Sequence, residues 1–177
     1  MTAAERAARV RLMVLDVDGV LTDGRLYIGA GGELMKAFDV RDGHGIKLLQ
    51  QAGIEVAILT ARSSEIVAAR ARELGIARVV QGQSDKLAGF EALRAEAGCA
   101  AEQCGYVGDD WPDLPVLARA GFAATVADAV DEVKAAAHWI AAAPGGRGAV
   151  RQLAAFILRA QGGFDAALAR YLRGAHA

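Results

Sequence analysis

Seven polar residues of this sequence stand at the ends of apolar runs: Asp16, Asp18, Thr60, Lys86, Asp109, Asp110 and Asp113. Gathered in one place, such carboxylates would repel each other unless a hard cation sat among them. Mg²⁺ suits that role, because it prefers oxygen ligands and needs only one or two carboxylates beside waters and a substrate phosphate. A carboxylate can attack phosphorus and form an aspartyl-phosphate. A second can give a proton to the departing oxygen and then take one from water. A lysine ammonium, a threonine hydroxyl and backbone N–H groups can hold the phosphoryl oxygens, where transition-state charge spreads.

Gathering them requires a particular framework. The apolar runs 12–17, 54–60, 77–82, 104–109, 122–127 and 138–142 read as strands. Segments of helical periodicity over 45–52, 63–74, 86–97, 113–120, 130–136 and 150–161 alternate with them. Continuous apolar strands alternating with helices imply an α/β fold, a three-layer Rossmann-like parallel sheet covered on both faces. Ligands of such sheets bind beyond the carboxyl ends of the strands, where the seven residues fall. The stretch 25–40 breaks the alternation, with two short β-rich arms around "GAGG", and reads as a projecting hairpin. No GK[ST] follows that glycine run, so a hairpin turn explains it better than a phosphate cradle. The glycine-rich 144–150 reads as a loop into the last core helix, and the tail from about 162 as a short helix or a loose end.

The chain has 177 residues, 54% of them hydrophobic, which is enough for one core and predicts a single domain over 1–177. With 20 basic and 21 acidic residues, no overall field draws in nucleic acid or an anionic membrane. Cys99 and Cys104 fit neither a redox pair nor a zinc knuckle and read as partly buried small residues of a reducing compartment. The N-terminus lacks a secretory pattern and the alanine-rich 135–143 is too short to span a bilayer, so a cytoplasmic location is expected.

"DVDGV", "LTAR", the lysine of "QGQSDK" and "GDDWPD" together resemble the four motifs of the haloacid-dehalogenase-like superfamily, in its phosphatase branch. The resemblance extends over almost the whole chain. It implies that Asp16 is the nucleophile and Asp18 the general acid/base, and that Thr60, the Ala61 backbone N–H and Lys86 bind phosphate. It implies Mg²⁺ held by Asp16, the Asp18 carbonyl and Asp109, with Asp113 and Asp110 behind them. Further stretches, "FDVRDGHGIKLL" and "GGRGAVRQL" among them, are similar to the capless branch acting on 3-deoxy-D-manno-octulosonate 8-phosphate, a precursor of lipopolysaccharide. That implies a small-molecule sugar-acid phosphate as substrate, contacted by Asp39, Val40, Arg41, Asp42, Gly43, Lys47, Arg62 and Arg70. It also implies a homotetramer in which a neighbour's hairpin and C-terminal tail help close each site. The family usually has glycine where this chain has Ala61.

Other readings compete at single positions. Asp23 and Asp42 fit a turn or cap as well as a ligand contact. Lys47 fits a solvated helix position, and Arg70 belongs to an arginine-rich stretch with a wet face. His44 fits loop packing or an interface, His138 and Trp139 the last strand, and His176 the tail. For the whole chain, the rivals are a phosphatase of nonulosonate 9-phosphates and a silent oligomeric scaffold. A response-regulator receiver fits the DVDG order and the hairpin poorly.

Overall fold

The computed structural model describes residues 1–172. Its first core strand, β1 (Leu12–Leu15), is buried along its whole length, which is why the run carries no polar alternation. β1 pairs in parallel with β4 (Glu55–Leu59) on one side and β6 (Cys104–Val107) on the other. Beyond them lie β5 (Arg78–Val80), β7 (Phe122–Thr125) and β8 (Trp139–Ile140), giving a six-stranded parallel sheet in the order β5-β4-β1-β6-β7-β8. The chain runs from β1 outward to β5, crosses back to β6 and continues to β8. That reversal beside β1 opens a crevice at the carboxyl ends of β1, β4 and β6.

Right-handed crossovers place the connecting helices in two layers according to the direction of travel. α2 (Val40–Gln51) and α3 (Glu65–Leu74) lie with α7 (Ala149–Ala160) and the short α1 (Ala3–Ala7). α4 (Lys86–Glu96), α5 (Leu114–Arg119) and α6 (Asp131–Ala136) form the other layer. One hydrophobic cluster fills both interfaces, with Phe90, Tyr106 and Phe122 its bulkiest buried side chains. The hairpin is a separate two-stranded sheet of β2 (Tyr27–Gly29) and β3 (Gly32–Met35), leaving Leu26, Ile28, Leu34 and Met35 exposed.

Several boundaries differ from the sequence expectation. α2 starts at Val40, not at residue 45, so the "DVRDG" stretch is an N-cap and a first helical turn rather than a loop. The strands are two or three residues shorter than their apolar runs, mostly because those runs continue into the loops that follow. α1 was not anticipated, although Thr2 and Glu5 form a capping box at its start. The tail holds α8 (Phe164–Leu172), whose ring Tyr171 meets His44 edge-on at 5.3 Å. His176 lies outside the described residues. Cys99 and Cys104 are free and buried, and burial pushes the Cys104 thiol up to about 12. Among the described residues no helix is long and apolar enough to cross a membrane.

Candidate active site

Asp16 follows the last residue of β1 and is 4% exposed. Its Oδ2 accepts a hydrogen bond from Lys86 Nζ at 2.7 Å, and its Oδ1 accepts one from the Val17 N–H at 2.7 Å. Lys86 opens α4 behind the N-cap Asp85, at a helix end where a cation is not favoured by the dipole. Two carboxylates offset that: the same ammonium donates to Asp113 Oδ1 at 2.7 Å. Burial alone would depress the Lys86 ammonium, but Asp16 and Asp113 hold it above the usual lysine range.

Asp113 is the hub. Its Oδ1 also accepts from the Tyr106 hydroxyl at 2.6 Å, and its Oδ2 accepts from the Asp109 and Asp110 N–H groups at 2.9 and 3.2 Å. Tyr106, in the middle of β6, was not singled out from the sequence. A core tyrosine needs a partner for its hydroxyl, and that requirement was the available signal. Burial, with Asp113 beside it, holds this hydroxyl protonated well above its ordinary range.

The carboxylates of Asp16, Asp109 and Asp113 come within 4.8 Å of one another. Burial first, then Asp113, push the Asp16 carboxyl up to about 7. Burial first, then Asp16, push Asp109 up to about 7 as well. One ammonium does not neutralise three acids, so the cluster favours a cation. The donor set is all oxygen, as a hard divalent ion requires. Asp113 already accepts four hydrogen bonds, against two at Asp16, so Asp16 and Asp109 keep more lone-pair capacity for an ion. The fold keeps the space open: Gly19 has φ +87°, and a Cβ there would lie 2.0 Å from Asp109 Oδ2. The residues present fit Mg²⁺.

Thr60 follows β4 and is 3% exposed, level with the end of β1 through the Leu15–Ile58 pairing. Ala61 lies in the exposed bend beyond it. No non-glycine residue has positive φ among the described residues, so the turn at Ala61 needs no glycine. Asp18 faces two cations. Lys36, from the hairpin, donates to its Oδ1, and Arg62 Nε lies 3.7 Å from its Oδ2. Lys36 was not anticipated, since a lone lysine in a hairpin carries no sequence signal.

The family model for haloacid dehalogenase-like hydrolases matches residues 40–121. The 3-deoxy-D-manno-octulosonate 8-phosphate phosphatase of Yersinia pestis is 48% identical over 157 residues, 89% of this chain and 84% of that protein. The chain belongs to the haloacid dehalogenase-like hydrolase family. The phosphatase of the same description from Moraxella catarrhalis, solved in complex with magnesium ion, phosphate ion and KDO, superposes on this hydrolase with a TM-score of 0.93. It is 41% identical, covering 96% of this chain and 97% of its own. The cobalt-bound form of the corresponding Haemophilus influenzae enzyme gives 0.88 at 43% identity, covering 90% and 93%.

The remaining candidates of this hydrolase are placed unevenly. Asp39 caps α2 and pairs with the exposed Arg41 at 2.8 Å. Val40 is 80% exposed beside them. Gly43 lies against Arg70, whose guanidinium stands 5.6 Å over the Phe38 ring. Two candidates take the other of the readings open to them and stand apart from the carboxylates of their own chain. Asp42 is buried and caps α7, accepting from the Gly148 and Arg151 N–H groups at 3.2 and 2.8 Å. Lys47 is a turn deeper in α2 and lies by Gly75 and Glu55, at the amino ends of the strands and opposite the carboxylates.

Proposed function

We propose that this chain is a Mg²⁺-dependent phosphomonoesterase that hydrolyses 3-deoxy-D-manno-octulosonate 8-phosphate to Kdo and phosphate. The observation that carries the reading is the Asp16 carboxylate, held at 2.7 Å by Lys86 inside an acidic cluster at the end of the central strand. The substrate is taken from the relatives, which match the chain over most of its length.

Asp16 attacks phosphorus and forms an aspartyl-phosphate, while Asp18 protonates the departing sugar oxygen. Asp18 then takes a proton from the water that cleaves the intermediate. Lys86, the Thr60 hydroxyl and the Ala61 N–H hold phosphoryl oxygens, and Asp113 keeps Lys86 aimed at them. Asp16, the Asp18 carbonyl and Asp109 would hold Mg²⁺, with Asp110 at the rim; the ion supplies charge neutralisation between these carboxylates and the phosphoryl group. Arg62 stands at the mouth of the crevice, where its paired donors suit a sugar carboxylate.

The chain 1–177 acts as one capless domain, and the sugar acid is covered by neighbouring copies in a homotetramer. The exposed Leu26, Ile28 and Leu34 of the hairpin and Leu168 and Leu172 of α8 favour self-association. In that assembly the face carrying Asp39, Val40, Arg41, Gly43 and Arg70, and Lys47 farther along α2, would serve a neighbour's site. The setting is the cytoplasm, in the supply of a lipopolysaccharide precursor.

The test is phosphate release by the purified protein from a sugar-phosphate panel, with Mg²⁺ and with EDTA. The expected result is a preference in kcat/KM for the octulosonate 8-phosphate over nonulosonate 9-phosphates, loss of activity in EDTA, and none in Asp16→Asn. Near-normal turnover by Asp16→Asn would overturn the nucleophile. A higher kcat/KM on a nonulosonate 9-phosphate would overturn the substrate, and no hydrolysis of any compound would favour a scaffold.

A further inference from the structure

The mechanism above assigns no task to the hairpin of the same chain, yet the hairpin reaches the crevice. Lys36, the first residue after β3, has a side chain only 1% exposed. Its ammonium donates to Asp18 Oδ1 and lies 3.0 Å from Glu33 Oε1. Glu33 accepts from the Ser64 hydroxyl with its other oxygen, and Ser64 is the N-cap of α3. A continuous chain of contacts, Asp18–Lys36–Glu33–Ser64, therefore joins the loop after β1 to the start of α3 through the hairpin. A lysine on a surface hairpin ordinarily keeps its strongly hydrated ammonium in water. Burying this one is favourable only because two carboxylates receive it. Asp18 stays 21% exposed, so the contact leaves it open to a substrate.

We propose that Lys36 is a positioning residue for Asp18. Anchored by Glu33, it holds the Asp18 carboxylate in one orientation and makes that orientation depend on the hairpin being seated against α3. The inference rests on the reading of Asp18 as the group that moves the proton. It adds to that reading a residue that does not touch substrate.

Lys36→Met keeps the stem and removes the ammonium. Correctly placed proton transfer contributes on the order of 10²–10⁴-fold to rate, and a small misplacement forfeits part of it. The expected result is a kcat on the octulosonate 8-phosphate lower by roughly ten- to a hundredfold, with KM changed less than about threefold. Lys36→Arg, which keeps a cation, recovers part of the loss, and Glu33→Gln reproduces part of it. In an Asp18→Asn background, Lys36→Met lowers kcat no further, because its route of action is already gone. An equal loss in that background would overturn the proposal, and so would a normal kcat for Lys36→Met. Circular dichroism confirms folding of each variant, with Lys36→Gln replacing Lys36→Met if the latter fails to fold. Near-normal turnover by Asp18→Asn itself would instead remove the reading of Asp18, a result distinct from an inactive Asp18→Asn beside a normal Lys36→Met.

Discussion

Replacing Asp113 with alanine removes the acceptor of four hydrogen bonds at once, those from Lys86, Tyr106 and the Asp109 and Asp110 N–H groups. Asp113 is 1% exposed, so water reaches this spot poorly. Lys86 keeps Asp16 as a partner, but the Tyr106 hydroxyl and two N–H groups lose theirs. A buried donor left unpaired costs about 1–3 kcal/mol. Three such losses at about 1–2 kcal/mol each, for groups partly open at the loop, sum to about 3–6 kcal/mol, which the relief of repulsion on Asp16 and Asp109 lowers to about 2–5 kcal/mol. For a chain of this size each kcal/mol moves the midpoint by about 2–4 °C, so Asp113→Ala should melt about 10 °C lower. Asp113→Asn keeps an acceptor oxygen and should fall between. Thermal unfolding of the metal-free protein by circular dichroism measures both. A midpoint for Asp113→Ala within about 2 °C of the parent would refute the hub reasoning.

The carboxyls of Asp16 and Asp109 are both raised to about 7 in the metal-free fold, so between about pH 4 and 7 the folded state binds more protons than the unfolded chain. These two groups therefore stabilise the metal-free protein at low pH and cease to do so as pH rises through 7. Since Mg²⁺ must displace those protons, it should raise the melting midpoint more at about pH 7.5 than at about pH 5.5; an equal or reversed gain would contradict this. Gly19→Ala puts a methyl 2.0 Å from Asp109 Oδ2, so its Mg²⁺ requirement, read from activity against metal concentration, should rise by at least about tenfold. Asp42→Ala strips the Gly148 and Arg151 N–H groups of their cap and should cost about 1–2 kcal/mol in urea unfolding. An unchanged urea midpoint would show that the cap contributes nothing to stability.

The parallel sheet was legible because β1, β6 and β7 are buried along their whole length, so their sequences are plain apolar runs. The positions of Asp16, Thr60 and Asp109 were legible because each lies at the end of an apolar run, and that of Lys86 because it opens the next helical segment. The start of α2 was hidden by Gly43 and Gly45, poor helix formers kept for packing. A Cβ on Gly43 would lie 2.5 Å from Arg70 Nη2, and one on Gly45 would lie 2.9 Å from the Arg151 Cα. The role of Asp42 was hidden by distance, since the N–H groups it caps are more than 100 residues away in the chain. Lys36 was hidden for the same reason in miniature: its partner Asp18 lies across a hairpin whose docking no local pattern announces.

The loop behind the first aspartates leans on a segment from far down the chain. A Cβ on Gly145 would fall 1.8 Å from the Gly19 carbonyl oxygen, and the Gly146 N–H donates to the Val20 carbonyl at 2.9 Å. A chain emerging from the ribosome thus exposes Asp16 and Asp18 more than 100 residues before the segment that backs their loop. That backing is added only after every strand of the sheet has been made.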